Sequence, residues 1–333
     1  MKISICIPTF NRSEYLKNCL FSIYKNRKYL DNVEVCILDN CSTDNTKKVV
    51  NEFRNKINIH YKKNIRNHGM AYNIINVTKL AKGEFIWIVG DDDILRKDSV
   101  YRLKKMIDSK RNIDFFYVNA FSAKSEDLKN KDIKKKKLNK FGNINEDKVV
   151  DFLDLINPNL SFDFLGGIFL SVFKRSLWMS NVNKISKKKL LGQKFSSLET
   201  TFPHVVIFSH SFINSKAFIC SNPLIYCSND ARNWLELYPL IKNFRLIEIL
   251  FLFKKKGLSN FLFHTYINKT LNNFIPDLIY ILLDKNNRGW KLIKKKQILF
   301  NFLYPNSYLS PIYFAIRKIK KYYENYLWKK RSW

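Results

Sequence analysis

Three consecutive aspartates, Asp91, Asp92 and Asp93, follow almost directly after the apolar run 85–89. The length of this run and its Ile, Val and Trp content predict a strand that is buried on both faces. Hard divalent cations prefer carboxylate oxygens and accept substrate phosphates as their remaining ligands. Ligands of open α/β sheets also bind at the carboxyl ends of the strands. The three aspartates therefore indicate a divalent-metal site, with a solvated acidic turn before a helix capped by Asp98 as the alternative.

Apolar runs and amphipathic segments alternate along the chain before these aspartates. Runs at 2–8, 33–38, 57–61 and 85–89 predict strands, and the segments between them predict helices. Asn11 is expected to cap the first helix, with Glu14 at capping-box spacing. The order βαβαβαβ predicts an α/β fold with a mostly parallel, doubly wound sheet and helices on both faces.

The pattern continues less regularly to about residue 230. We expect a helix around Val100, a strand at 113–118 and a polar and basic surface loop at 124–148 that includes the lysines 134–137. After this loop we expect a helix at 149–156, a strand at 168–173, a helix at 202–213 and two short strands around Pro223. We expect one domain over 1–230, and a different, helical region over 231–333.

Composition limits the cellular setting and the partners. The chain has 333 residues and a formal net charge of +31, which suits either nucleic acid or an anionic membrane surface. Its six cysteines form no CxxC pair, which favours a reducing compartment. No apolar window reaches the roughly 18 residues of a spanning helix. We expect a cytoplasmic protein, peripheral on the inner face of the cell membrane.

Residues 231–333 combine Phe, Tyr, Leu and Ile with clusters of Lys and Arg. Aromatic and aliphatic residues interspersed with basic clusters are typical of amphipathic helices that lie on a membrane surface. An ordinary helical appendage whose lysines face water has the same composition, so both interpretations stay open.

The turn after the first strand bears on the kind of nucleotide chemistry. A strand, a helix and a carboxylate, Asp39, at the end of the second strand would suit a dinucleotide site. The turn at 8–12 contains no glycine, however, so its amides cannot surround a pyrophosphate as G-x-G-x-x-G does. Asp39 is then expected to contact a base or ribose, while a cation at the aspartates neutralises the diphosphate.

Four segments together resemble the family 2 glycosyltransferases with the GT-A fold. They are Ile5-Cys-Ile-Pro-Thr-Phe-Asn-Arg12, Val35-Cys-Ile-Leu-Asp-Asn-Cys-Ser-Thr-Asp44, Asn67-His-Gly69 with Asn73, and Gly83-Glu-Phe-Ile-Trp-Ile-Val-Gly-Asp-Asp-Asp-Ile-Leu95. The resemblance covers 1–120 strongly, weakens to about 230 and then lapses. It is greatest to the abequosyltransferase-like branch that acts on bacterial surface polysaccharides, such as lipopolysaccharide.

The resemblance implies a donor-binding half at 1–120 and an acceptor half at 121–230. It implies a nucleotide-sugar donor, expected to be a UDP-sugar, and Mn²⁺ or Mg²⁺. The donor residues carried over are Pro8, Thr9, Arg12, Asp39, Asn67, Gly69 and Asp91. Aligning on the family's DxDD stretch places Gly90 at the first aspartate and makes Asp92 the metal ligand, with Asp91 facing the ribose. The alternative is that Asp91 and Asp93 form the DxD pair, so Asp93 remains a candidate ligand.

The family inverts the anomeric centre, which implies a general base roughly a hundred residues beyond the metal motif. Glu199 is the first candidate, and His204 and Asp163 are the others. A glycan acceptor, expected to be lipid-linked, would receive the sugar. The competing functions are a non-catalytic scaffold of the same fold at the membrane, a nucleic-acid-binding protein and a nucleotidyltransferase. The acidic cluster argues against nucleic acid, and the turn at Pro8 and Thr9 does not support nucleotidyl transfer.

Overall fold

Strands and helices alternate through the first 109 residues, because short apolar runs are separated by amphipathic segments. The computed structural model describes residues 2–129, 138–160, 163–231, 234–284, 286 and 288–331, without the side chains of 129 and 323–331. The first elements are β1 (Ile3–Thr9), α1 (Ser13–Tyr24), β2 (Val33–Asp39), α2 (Thr46–Arg54), β3 (Ile59–Lys63), α3 (Met70–Val77), β4 (Phe85–Ile88), β5 (Ile94–Leu95) and α4 (Ser99–Ser109).

The following elements complete a first compact unit, Met1–Asn233. They are β6 (Phe115–Ala123), α5 (Ser125–Lys129), β7 (Asn139–Lys140), β8 (Lys148–Asp151), β9 (Ser171–Lys174), α6 (Arg175–Asn181), α7 (Lys187–Leu190), α8 (Leu198–Thr201), α9 (Pro203–Ser211) and β10 (Lys216–Ser228). The lysines 134–137 of the expected basic loop lie outside the described residues.

The strands of the described residues form one ten-stranded sheet in the order β3-β2-β1-β4-β9-β6-β10-β5, with β7 beside β6 and β8 beside β10. The first four strands of this order run parallel, and so do β6 and β10. Strand β9 lies antiparallel between β4 and β6 and joins the two parallel parts. The predicted α/β architecture with helices around a central sheet is confirmed.

Two local predictions in the second half were wrong. Residues 149–156 form no α-helix, because Val149 and Val150 pair with β10 and only a 3₁₀ turn, Phe152–Leu155, follows. Two β-branched residues beside an open strand edge favour the strand. The two short strands expected around Pro223 are one strand, β10, whose pairing with β6 shifts register on either side of that proline.

The expected helix caps also differ. Asn11 does not cap α1. Its backbone has a positive φ of 51°, and its side chain accepts a hydrogen bond from Thr43 N at 2.7 Å. The cap comes instead from Asp44, whose carboxylate accepts from Ser13 N at 2.8 Å. The loops after β1 and β2 are thereby joined. Asp98 precedes α4, but its side chain makes no capping hydrogen bond.

A buried glutamate fixes the start of β4 against the first two strands. Glu34 is 0% exposed, and its Oε1 accepts from Ser4 Oγ, Lys82 N and Gly83 N at 2.6, 2.6 and 3.0 Å. A Cβ atom at Gly83 would lie 2.7 Å from Ser4 N, so the approach of the two backbones requires glycine. These contacts set the height at which β4 ends, and therefore where Asp91–Asp93 lie.

The second compact unit, Trp234–Trp333, is helical. It contains α10 (Tyr238–Leu240), the π-helical turn Ile241–Arg245, α11 (Leu246–Lys254), α12 (Asn260–Thr270), α13 (Phe274–Leu283), α14 (Lys295–Asn301) and α15 (Pro305–Arg331). In the described part of the chain, no helix combines the length and the apolar character that crossing a bilayer requires.

Candidate active site

The aspartates after β4 lie in a tight turn that begins at Gly90. Gly90 N donates to Asp93 Oδ2 at 2.9 Å, and Asp93 N donates to Gly90 O at 3.2 Å. A Cβ atom at Gly90 would lie 2.7 Å from Asp92 Oδ1 and 2.9 Å from Asp93 Oδ2. Glycine at this position therefore lets two carboxylates fold back over the strand end.

Arg12 connects the carboxylates of Asp91 and Asp92 to the loop after β1. Its guanidinium donates to Asp92 Oδ2 at 2.8 Å, and its Nε lies 3.1 Å from Asp91 Oδ1. Thr9 Oγ1 donates to the second oxygen of Asp91 at 2.8 Å. Three of the predicted donor residues and the predicted metal ligand therefore form one contiguous cluster at the carboxyl ends of β1 and β4.

Burial sets the electrostatics of this cluster. Asp91 is 6% exposed, and burial raises the pKa of its carboxyl to about 7 against the opposing effect of Arg12. Desolvation and the nearby charge of Arg12 lower the pKa of Lys194, in the loop between α7 and α8. The charge of Lys194 therefore acts on Arg12 and adds to the positive charge that faces the carboxylates.

Asp39 lies beside the cluster, because the register of the parallel strands pairs Thr9 with Asp39 and Asp39 with Lys63. Asp39 is 1% exposed. Its two oxygens accept from Ser42 N and from Tyr61 Oη, both at 2.7 Å. Asp39 thus fixes the loop after β2 and turns the phenol of Tyr61 towards the strand ends.

A network of asparagines holds the segment 64–69 next to this loop. The amide nitrogen of Asn40 donates to Asn67 Oδ1 at 2.7 Å and to Gly69 O at 3.2 Å, and its amide oxygen accepts from Asn64 and from His68 N. Gly69 has φ +86° and is the residue before α3. The predicted donor residues Asn67 and Gly69 are therefore fixed against the end of β2.

Glu199 lies in the first turn of α8, which packs against α3, α7 and α9. Its Oε1 accepts from Lys189 Nζ at 2.5 Å, and its side chain is 21% exposed. Burial raises the pKa of Glu199, but hydrogen bonds from Lys189, from the backbone and from Ser197 bring that pKa below its ordinary value. Glu199 is therefore an accessible carboxylate at neutral pH.

His204 is in a different environment. It is 2% exposed, and its Nε2 lies 3.0 Å from Leu165 O. Leu165 and Phe164 have φ values of 72° and 48°, which are strained for side chains of this size. Burial lowers the pKa of His204 to about 4, so the ring is neutral and Nε2 is the donor in this contact. The placement favours a role in holding this loop over direct proton transfer.

Asp163, the third candidate base, precedes the same loop. It is 8% exposed, and its backbone carbonyl accepts from Gly166 N at 2.8 Å. A Cβ atom at Gly167 would lie 2.9 Å from its Oδ2. Of the three candidates, Glu199 is the most accessible to an acceptor.

The cluster fits a divalent cation only in part. Asp92 Oδ1 has no hydrogen-bond partner among the described residues, whereas Asp93 Oδ2 is bound to the Gly90 amide. Asp92 therefore suits a cation better than Asp93, whose carboxylate closes the turn. Over the ranges that the structure describes, no three His, Cys, Asp or Glu side chains are arranged to hold a metal ion. A cation would need phosphate oxygens for most of its ligands.

Sequence reasoning missed several residues of this region. The sequence places Tyr61 at the end of the strand predicted over 57–61 and predicts nothing for Lys63, yet Tyr61 Oη donates to Asp39 and Lys63 Nζ donates to Ser42 O at 2.7 Å. Asn40 and Lys194 gave no signal of their own. The alignment of three parallel strand ends would have identified Lys63, because it pairs directly with Asp39.

Comparison with known proteins identifies related sequences. The profile described as Glycosyl transferase family 2 matches residues 4–161. Abequosyltransferase RfbV of Salmonella typhimurium is 31% identical over 241 residues, which are 69% of this chain and 67% of that protein. The residues of the acidic turn and of the loop after β1 lie inside the matched profile.

Solved structures resemble the fold. The structure of S. aureus TarS 1–349 in complex with UDP-GlcNAc has a TM-score of 0.56 at 17% identity and covers 89% of this chain and 77% of its own. The mannosyltransferase PcManGT from Pyrobaculum calidifontis, in complex with GDP-Man and Mn²⁺, has a TM-score of 0.53 at 13% identity and covers 96% and 87%. At these identities the likeness shows a shared GT-A fold.

The buried state of His204 predicts a pH dependence of stability. The pKa of about 4 lies below the ordinary value of 6.5, so between these pH values the folded state binds fewer protons than the unfolded state. The free energy of unfolding should therefore fall as the pH is lowered through this window, by up to about 1.4 kcal/mol per pH unit.

Urea titrations at several pH values would measure this slope. His204→Gln keeps an N–H donor for Leu165 O but cannot be protonated, so its slope between pH 6.5 and 4 should be shallower. The control is His60→Gln, which changes a histidine on β3 that contacts Glu34 of β2. This variant should keep the part of the slope that comes from His204. Equal slopes for wild type and His204→Gln would contradict the buried neutral imidazole.

Proposed function

Because the chain belongs to glycosyltransferase family 2, and is therefore a glycosyltransferase, we propose that it transfers a sugar from a nucleotide-sugar donor to a glycan acceptor. The observation that carries this proposal is the cluster of Thr9, Arg12, Asp91 and Asp92 beside Asp39. It supplies groups for a base, a ribose and a diphosphate at one edge of the sheet.

The donor is proposed to lie across the ends of β1, β2 and β4. Asp39 and the ordered loop after β2 contact the base, and Asn67 and Gly69 close the ribose side. Thr9 and Pro8 line the nucleotide from the end of β1, where Thr9 pairs with Asp39. A UDP-sugar is the proposed donor, since the TarS structure, which shares the fold, contains UDP-GlcNAc.

The diphosphate requires positive charge, which a divalent cation and the side chain of Arg12 can supply. We propose that Asp92 holds Mn²⁺ or Mg²⁺, with Asp91 facing the donor ribose. The cation would stabilise the departing nucleoside diphosphate. Arg12, which binds Asp91 and Asp92 in this structure, is the second source, because it can turn to phosphate oxygens once the carboxylates have another partner.

Inversion needs a base that removes the proton of the acceptor hydroxyl as the new glycosidic bond forms. Glu199 is proposed for this role, because it is ionised at neutral pH and partly accessible. Lys189 orients its carboxylate. His204 is proposed to act indirectly, since its contact with Leu165 holds the strained loop that precedes β9.

The acceptor is proposed to be lipid-linked, in the biosynthesis of a bacterial surface polysaccharide or glycoconjugate on the inner face of the cell membrane. The unit 234–333 supports membrane contact, because large apolar side chains on its helices are exposed, including Ile279, Leu283, Leu303, Ile312 and Ile319 at 50, 75, 75, 57 and 67%. Exposed apolar groups among lysine clusters fit an anionic bilayer surface.

Two other functions are distinguished by simple measurements. A non-catalytic scaffold would neither transfer nor hydrolyse a radiolabelled nucleotide sugar, whereas the proposed enzyme does so when an acceptor or water is available. A nucleic-acid-binding protein would retain gel-shift binding at moderate salt. The acidic cluster at the strand ends disfavours that second function, because phosphates would approach carboxylates directly.

Replacement of Asp92 tests the metal proposal. Asp92→Ala should abolish metal-stimulated transfer from a radiolabelled donor, since the carboxylate with an uncommitted oxygen is lost. Asp92 is partly exposed, so the fold should persist by circular dichroism and thermal unfolding. Asp31→Ala removes an exposed aspartate that pairs with Lys104, and should leave transfer unchanged. Full metal-stimulated activity in Asp92→Ala would contradict the assignment.

Replacement of Glu199 tests the general base. Glu199→Gln should lower kcat by roughly 10²–10⁴-fold, because the amide cannot accept the proton, while donor affinity stays within about twofold. Glu52→Gln, on the surface of α2, is the matched control and should change neither parameter. Turnover at the wild-type rate by Glu199→Gln would transfer the assignment to Asp163 or His204.

A further inference from the structure

A basic cavity lies within the unit 234–333, which does not contain the cluster of aspartates. Its volume is about 460 Å³. It is lined by Lys242, Asn272, Asn273, Phe314, Arg317, Lys318 and Lys321. Four of these seven side chains carry positive charge, and none of the seven carries negative charge.

Asn272 and Asn273, directly before α13, accept hydrogen bonds from two of the cationic side chains. Lys242 Nζ donates to Asn272 Oδ1 at 3.0 Å, and Arg317 Nη2 donates to Asn273 Oδ1 at 2.5 Å and to Asn272 O at 3.3 Å. Lys318 Nζ lies 5.3 Å from the centre of the Phe314 ring. The cations of Lys242 and Arg317 are therefore held in place by neutral groups.

Among the side chains that the structure describes, ion pairs do not balance the positive charge of the cavity. Among the described side chains, no carboxylate lies within ion-pair distance of the four cations. The nearest acid in this network, Asp277, accepts instead from Asn243 and Asn273 at 2.8 and 2.5 Å. Burial and the charge of Arg317 lower the pKa of Lys242, although Asp277 opposes them. The unbalanced charge favours binding of an anion.

The backbone that carries Lys242 is also unusual. Lys242 belongs to the π-helical turn Ile241–Arg245, between the short α10 and α11. π-helical turns are rare and recur at functional sites, because their extra residue costs hydrogen-bond geometry. The π-helical turn is a feature of the backbone that does not depend on the charges, and Lys242, which lines the cavity, lies within it.

We propose that this cavity binds the phosphate group of a phosphate or diphosphate ester, as an anion site separate in sequence from the donor residues. Arg317 offers several N–H donors in one plane for phosphate oxygens, and the lysines offer mobile point charges. The neutral amides of Asn272 and Asn273 contribute no repulsion. The same chemistry serves a soluble phosphate and the headgroup of a lipid phosphate, and the proposal stands whether or not the proposed sugar transfer is correct.

A charge-matched pair of variants separates a built site from general positive charge. Lys318→Ala/Lys321→Ala removes two cavity lysines, both exposed, so the fold should be retained. Lys291→Ala/Lys320→Ala removes two exposed lysines of the same unit that do not line the cavity. Arg317→Gln is a third variant, which keeps a donor but removes the charge.

Calorimetric titration of the full chain with inorganic pyrophosphate in EDTA is the first measurement. Wild type should bind, and the cavity pair and Arg317→Gln should each bind at least about tenfold more weakly, as expected for the loss of charge-assisted hydrogen bonds. The control pair should stay within about twofold of wild type, since its lysines do not line the cavity.

Flotation with phosphatidylcholine vesicles that contain phosphatidic acid identifies the source of the phosphate. If the cavity pair floats less than the control pair and pyrophosphate competes, the ligand is a lipid headgroup. If only pyrophosphate binding responds to the cavity variants, the ligand is a soluble phosphate. Equal behaviour of the cavity and control pairs in both measurements would overturn the proposal. Because neither measurement uses a donor sugar, failure here leaves the proposed transfer untouched.

Discussion

The candidate site depends on how the charge of two buried or partly buried carboxylates is compensated. Asp91 and Asp92 lie at the end of the central strand β4, where like charges repel and burial penalises ionisation. Arg12 binds both carboxylates, and Thr9 Oγ1 donates a hydrogen bond to Asp91. Thr9 lies at the end of β1 and Arg12 in the loop that follows, so the carboxyl ends of β1 and β4 depend on each other.

The scaffold makes this arrangement specific. Glu34 ties the starts of β1, β2 and β4 together, so these parallel strands end at a common edge. Asp44 and Asn11 connect the loops after β1 and β2. Asp39 connects the end of β2 to β3, and Asn40 connects the loop after β2 to the segment 64–69 that follows β3. Polar side chains with several partners thereby order the loops after β1, β2 and β3. Ordered loops would reduce the conformational cost of binding the proposed nucleotide-sugar donor.

The sequence allowed the site to be located because its residues follow buried strands. The apolar runs of β1, β2 and β4 are long enough to be recognised, so Asp39 and Asp91 could be placed at strand ends, whereas Thr9 was assigned from the resemblance to family 2 glycosyltransferases. The bridge from Arg12 to Asp91 and Asp92 could not be predicted, because it depends on the path of a loop eighty residues away. The predictions for Asn11 and for residues 149–156 were wrong because partners distant in sequence decide both structures: Thr43 binds Asn11, and β10 pairs with Val149 and Val150. The roles of Glu199 and His204 depend on how far each side chain is buried. The pattern of apolar residues in helices as short as α8 and α9 does not predict this burial.

The central claim is that Asp92 binds a cation together with the phosphates of the donor rather than alone. Calorimetric titration of the full chain with Mn²⁺, in the presence and absence of saturating UDP, tests it most directly. The claim predicts weak binding without UDP, since Arg12 occupies the carboxylates and no third protein ligand is arranged beside them among the described residues, and binding at least about tenfold tighter with UDP. Equally tight Mn²⁺ binding in both conditions, or none in either, would contradict it.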